Sequence, residues 1–159
     1  MSKEDLSSIL WRERDLLDTL LYKLEVEQLV LASSRTKWLA AAAREVELVL
    51  DKIREAEVLR ALEVDTLALA LGLEPNASLR EIAEACDEPW KGIFLDHREA
   101  FTTVATEISS MSESNRELLT AGYHAAQATL LSISDGSGTY GADGAVAADR
   151  RSSLVDRSL

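Results

Sequence analysis

DLSSILWRERDLLDTLLYKLEVEQLVLA, residues 5–32, decides the fold class. Leu6, Leu10, Glu13, Leu17, Leu20, Leu24, Glu27 and Leu31 recur in alternating four- and three-residue steps. That spacing returns to one side of an α-helix and draws a heptad seam. Ile9, Leu16, Leu21 and Val30 widen the seam to a face suited to a helical bundle. Two seam positions are glutamates, and a carboxylate buried there without a partner would be destabilising. Glu13 is expected at the seam's wet margin. For Glu27, pairing with an arginine of a neighbouring helix stays open.

Outward from this stretch, Ser33-Ser34-Arg35-Thr36 interrupts the apolar pattern and offers Ser34 or Thr36 as an N-cap for a second helix. Leu39, Ala42, Val46, Val49, Ile53, Ala56, Arg60 and Leu67 trace its inner face, flanked by Leu50 and Leu59. The short break predicts an antiparallel hairpin of helices, each roughly 40–50 Å long. One unbroken helix through Ser33 is the alternative. Arg60 on that face either snorkels to water or meets an acid such as Glu27. Gly72, with Pro75 close behind, reads as a helix stop, and Ser78 with Glu81 reads as a capping box. Pro89 opens a last long helix whose seam runs through Phe94, His97, Phe101, Val104, Ile108, Met111 and Asn115 to about Ile133.

The fold class expected is therefore all-α: an antiparallel bundle of three long helices plus one short helix, with a flexible C-terminal tail. The helices are expected at about 4–32, 36–71, 78–86 and 89–133. Residues 1–133 form the bundle and 134–159 a disordered or conditionally folded tail. Four of the chain's seven glycines and two Asp-Gly turn signals fall in SDGSGTYGADG, residues 134–144.

Composition agrees with helices and narrows the function classes. The chain is 47% hydrophobic but only 5% aromatic, with two prolines, a Leu/Ala/Glu-rich mix that favours helix over sheet. No apolar run reaches about eighteen residues, so no membrane insertion is expected. The start, MSKEDLSSIL, is acidic where a signal peptide is basic. A single cysteine, Cys86, rules out an internal disulfide and suits a reducing cytoplasm. The net charge of −11 argues against nucleic acid as a partner, and residues 73–133 carry 4 bases against 10 acids.

No catalytic constellation stands out, and neither metal nor cofactor is expected. A di-iron carboxylate bundle needs Glu-x-x-His, but Phe94 precedes His97 and Ala121 precedes His124 at that spacing. One cysteine and two distant histidines do not make a zinc site. The glycines of residues 136–144 follow a helix and match no phosphate-binding loop. A Ser–His–Asp triad is not excluded by counting, though no nucleophile elbow supports one. Trp11, Trp38 and Trp90 are expected to cover the ends or rims of the bundle. Tyr140, alone among glycines, has no core to join and suits a contact role.

Taken together, Leu24-x-x-Glu27, Glu57-x-x-Arg60, Asn115 with Leu118-Leu119, and Tyr140-Gly-Ala-Asp-Gly144 resemble the FlgN family of flagellar export chaperones over about residues 5–145. The resemblance implies a cytoplasmic, non-enzymatic protein that holds the hook-associated proteins of the hook–filament junction. It implies delivery of these to the flagellar export gate. In that family the tail after the bundle takes part in cargo binding and its tyrosine region in gate docking. Carried over, Tyr140 and Gly144 would dock, and Val146, Leu154 and Val155 would contact cargo. Leu130, Leu131 and Ile133, at the end of the last helix, join them as candidate partner-binding residues. The alternative is a self-associating helical scaffold, a homo-oligomer built on the heptads of residues 6–31.

Overall fold

The computed structural model describes residues 2–138. The described residues fall into two compact units, divided between Asn115 and Arg116. The first holds α1 (Lys3–Ala32), a 3-10 turn (Thr36–Trp38), α2 (Leu39–Ala70), α3 (Leu79–Glu84) and the first part of α4, which runs Trp90–Gly138. No strand occurs among the described residues.

Local chemistry accounts for most of the helix ends. Ser2 and Asp5 cap α1 reciprocally: the Asp5 N–H donates to Ser2 Oγ at 3.2 Å, and the Ser2 N–H donates to Asp5 Oδ2 at 3.0 Å. The expected cap on the second helix is corrected. Ser34 takes a left-handed conformation, φ 57°, and neither it nor Thr36 caps α2. The short connection consumes these residues in reversing the chain, and the 3-10 turn leads into α2 without a side-chain cap.

At the other end of α2, Gly72 has φ 74°, the Leu73 N–H donates to Ala68 O at 2.8 Å, and the Gly72 N–H donates to Leu69 O at 3.2 Å. This is a Schellman stop, which needs a left-handed residue after the cap. A Cβ at Gly72 would meet nothing within 4 Å, so a substitution there reports backbone strain alone. Gly72→Ala is expected to lower stability by about 1 kcal/mol, seen as a lower urea midpoint at unchanged slope. Gly72→Asn should lose less.

Ser78 and Glu81 form the predicted capping box on α3, with the Ser78 N–H donating to Glu81 Oε2 at 2.6 Å. The α4 helix passes the expected end at Ile133 and continues to Gly138. Extending an existing helix needs no new nucleus, so Ser134 and Asp135 are carried along despite weak propensity.

Side-chain pairings set the helix directions within the first unit. Lys23 Nζ lies 3.3 Å from Glu45 Oε2, and Arg60 Nη1 lies 3.3 Å from Glu13 Oε2, so α1 and α2 are antiparallel. Ser7 meets His97, and Asn115 meets Leu24, so α4 runs parallel to α1. The bundle is up-down-up.

Its interior holds two apolar clusters. Leu6, Leu10, Leu67, Ile82, Cys86 and Phe94 form one, where all four helices meet. Leu20, Leu24, Val46, Val49 and Ile53 form the other, with Ile108 and Met111 packed against it. Burial of each large side chain contributes about 1.5–3 kcal/mol. This hydrophobic term, rather than helix propensity, holds the long helices in place.

Candidate partner-binding surface

The apolar seam is broken by three sets of polar side chains. The first joins Ser7, Arg14 and His97. Ser7 Oγ lies 3.2 Å from His97 Nε2, and Arg14 Nη1 lies 3.3 Å from His97 Nδ1. A guanidinium only donates, so Nδ1 must accept and the ring proton sits on Nε2, donating to Ser7 Oγ. A histidine held this way cannot take a proton from Ser7. The pair has the residue types of a nucleophile and its base but the reverse proton arrangement.

Trp11 packs edge-on to the same ring with centroids 5.0 Å apart, and the Arg14 guanidinium lies 4.1 Å over the Trp11 ring. Burial pushes the His97 pKa down, the Arg14 charge adds to this, and Asp96 opposes it. With the folded value below the unfolded one, this stability is complete above about pH 6.5 and is lost as pH falls through the folded value. Urea midpoints measured stepwise into acid should fall for the native chain and flatten for His97→Gln.

The second set is the Glu13–Arg60 pair, in which the carboxylate is 3% exposed and the arginine 38%. Glu13 is thus buried, which corrects its expected place at the wet margin. Arg60 meets this acid rather than Glu27. The guanidinium also lies 6.0 Å from the Phe101 ring centroid. In the third set, Asn115 Nδ2 donates to Leu24 O at 2.9 Å and to Glu27 Oε1 at 3.1 Å. Glu27 is therefore partnered by an amide. These sets fix which helix meets which.

Among the described residues, no group of three or more His, Cys, Asp or Glu could hold a metal ion. No helix there is long and apolar enough to cross a membrane. Burial raises the Cys86 thiol pKa and keeps it protonated.

Surface apolar residues are the more informative feature. In the second unit, Leu119, Tyr123, Ala126, Leu130 and Ile133 keep the four-three spacing along α4 and lie exposed. Leu130, Leu131 and Ile133 are 46%, 55% and 56% exposed, so the three described candidates share one helical end and are open to a partner. Tyr140, Gly144, Val146, Leu154 and Val155 lie outside the described residues.

Two features were missed from the sequence. Leu48, Val58, Leu59, Leu62 and Leu69 are exposed on α2. Periodicity assigns Leu48, Val58, Leu62 and Leu69 to the outer face, where single apolar residues are normal, whereas Leu59, expected beside the inner face, is instead exposed. The wall formed by α1 and the first part of α4 also carries two open clefts of about 610 and 550 Å³. The acid excess of residues 73–133 was the available signal. Of the tryptophans, Trp90 covers the core beside Phe94, whereas Trp11 and Trp38 remain about half exposed.

A family model described as "FlgN protein" matches residues 1–148. No curated protein and no solved structure matches the chain.

Proposed function

Because the chain belongs to the FlgN family, a family of flagellar export chaperones, we propose that it is a cytoplasmic chaperone of the hook-associated proteins of the hook–filament junction. It prevents their premature assembly and delivers them to the flagellar type III export gate. The family match over residues 1–148 carries this reading. The exposed apolar stripe ending at Leu130, Leu131 and Ile133 supports it, because an amphipathic segment of cargo can lie against such a helix face.

The mechanism is holding and hand-over, with no bond chemistry. Residues after the helix, including Val146, Leu154 and Val155, add contacts with cargo, while Tyr140 and Gly144 dock at the gate. Any segment ordered on binding offsets part of the contact energy, and this suits a chaperone that must let go.

Calorimetry of the full chain, and of a chain cut after Ser134, against the helical termini of a hook-associated protein tests the proposal. Binding lost on truncation places cargo on the residues beyond the cut. Binding that survives truncation but is lost in Leu130→Asp/Ile133→Asp places it on the stripe. No binding by the full chain rejects the reading. The self-associating scaffold is the second reading, favoured by the exposed leucines of α2. It requires the purified chain to sediment as a dimer or larger, and Leu59→Glu/Leu62→Glu to return it to monomer.

A further inference from the structure

The two clefts on the α1–α4 wall share Glu107. The first is lined by Trp11, Arg14, Asp18, Glu99, Val104 and Glu107, among others. The second follows it along the same two parallel helices, with Leu21, Glu25, Thr106 and Met111 in its lining. From Trp11 to Gln28 the joined groove is about 25 Å long, enough for roughly five turns of a docked helix.

Its floor is apolar, from Leu21, Ala100, Val104 and Met111, and Trp11 stands 53% exposed at one end. An exposed tryptophan is a common anchor for a partner, and a flexible methionine adapts to the partner's shape. The rim carries Asp18, Glu25, Asp96, Glu99 and Glu107. None of these five carboxylates enters any of the ion pairs among the described residues. The one base of the lining, Arg14, is turned to His97 and Trp11. Carboxylates spread over about 25 Å beside a low-dielectric floor reinforce one another within a screening length of about 8 Å.

We infer that this groove docks a basic amphipathic helix, its leucine-like face on the floor and its lysines or arginines on the acidic rim. Like charge disfavours a nucleic acid, an anionic lipid surface or a second copy of this chain, whose net charge is −11. The inference rests on residues of the first unit alone and does not depend on the hook-associated cargo proposed above.

The test titrates the full chain with a leucine–lysine amphipathic helical peptide and its leucine–glutamate counterpart, followed by calorimetry and amide chemical shifts. The lysine peptide should bind and shift the amides of Thr103, Thr106 and Ser110, whereas the glutamate peptide should not bind. Glu99→Lys/Glu107→Lys should weaken binding by about tenfold or more, and Glu99→Gln/Glu107→Gln by less. Glu47→Lys/Glu55→Lys, which makes the same net-charge change on the exposed face of α2, should weaken it by under about threefold. All these side chains are exposed, so each variant should keep the helical circular dichroism of the native chain. Equal loss in the two lysine variants would reduce the effect to overall charge and overturn the inference. Failure of the lysine peptide to bind, equal binding of the glutamate peptide, or shifts confined to Leu130–Ile133 would overturn it as well.

Discussion

Phe94→Ala is expected to cost about 3–5 kcal/mol, a large part of the roughly 5–15 kcal/mol that holds a domain together. Phe94 is fully buried, and its neighbours come from every helix of the first unit: Leu6 and Leu10 from α1, Leu67 from α2, and Ile82 and Ala83 from α3. Trp90 packs on it with ring centroids 5.7 Å apart. Truncation removes the transfer free energy of the ring and leaves a cavity that four converging elements cannot all close. The six-residue α3 is far too short to persist unaided, so its amides should lose exchange protection ahead of the long helices. Urea unfolding followed by circular dichroism provides the check. A loss under about 1 kcal/mol with unchanged slope would contradict this account of the core. Phe94→Leu should keep most of the stability.

Arg60→Ala should destabilise the chain by about 2–3 kcal/mol at neutral pH, because it leaves the Glu13 carboxylate buried without its counter-charge. The value lies at or below the usual range for a broken buried pair because Arg60 itself is partly in water. Glu13→Gln should cost far less, since the partner it leaves behind remains solvated. Burial raises the Glu13 pKa, Arg60 draws it back and Glu57 raises it again. A carboxyl whose folded value lies above its unfolded value contributes stability below the unfolded value, which is lost as pH rises through the folded one. The Arg60→Ala deficit should therefore be largest near neutrality and shrink in acid. His97 has the opposite sign, so the two effects are separated by measuring the His97 slope in a Glu13→Gln background.

These residues also mark how far the sequence could be read. The seam positions from Leu6 to Leu31 face inward or border the core, as their spacing requires. So do Ala42, Val46, Val49, Ile53, Ala56 and Leu67 of α2, and Phe94, Val104 and Asn115 of α4. Burial follows directly from period, and period is a property of the chain alone. Pairing does not. Glu13 and Glu27 occupy equivalent seam positions two heptads apart, and a heptad pattern is indifferent to a slide of whole repeats. The connection decides the register: a turn at Thr36 sets Glu13 and Arg60 at nearly equal distances from the reversal, with Glu27 much closer in. Connection length thus carries the pairing that the heptads leave open. Ser34 departs from the expected capping role for a related reason, since cap propensity ignores how few residues are available to turn the chain.

For the candidate site, the apolar spacing of Leu119–Ile133 was legible, but its exposure was not. Periodicity identifies a face without saying what, if anything, covers it. The acidic groove was harder still. It is assembled from α1 and α4 residues far apart in sequence, and each carboxylate alone reads as an ordinary solvated side chain.

The Glu13–Arg60 pair has one more consequence. It lies between the Phe94 cluster and the Leu20–Ile53 cluster, where the buried apolar residues Ala56 and Val104 are joined by a charged pair. Cooperativity in a long bundle is transmitted through apolar contact, and a charged layer is a weak joint in it. The end holding Phe94 and the end holding Leu20 and Ile53 are therefore expected to differ in amide-exchange protection, although the same long helices run through both. Native-state hydrogen exchange should then show the amides of one end opening while those of the other stay protected.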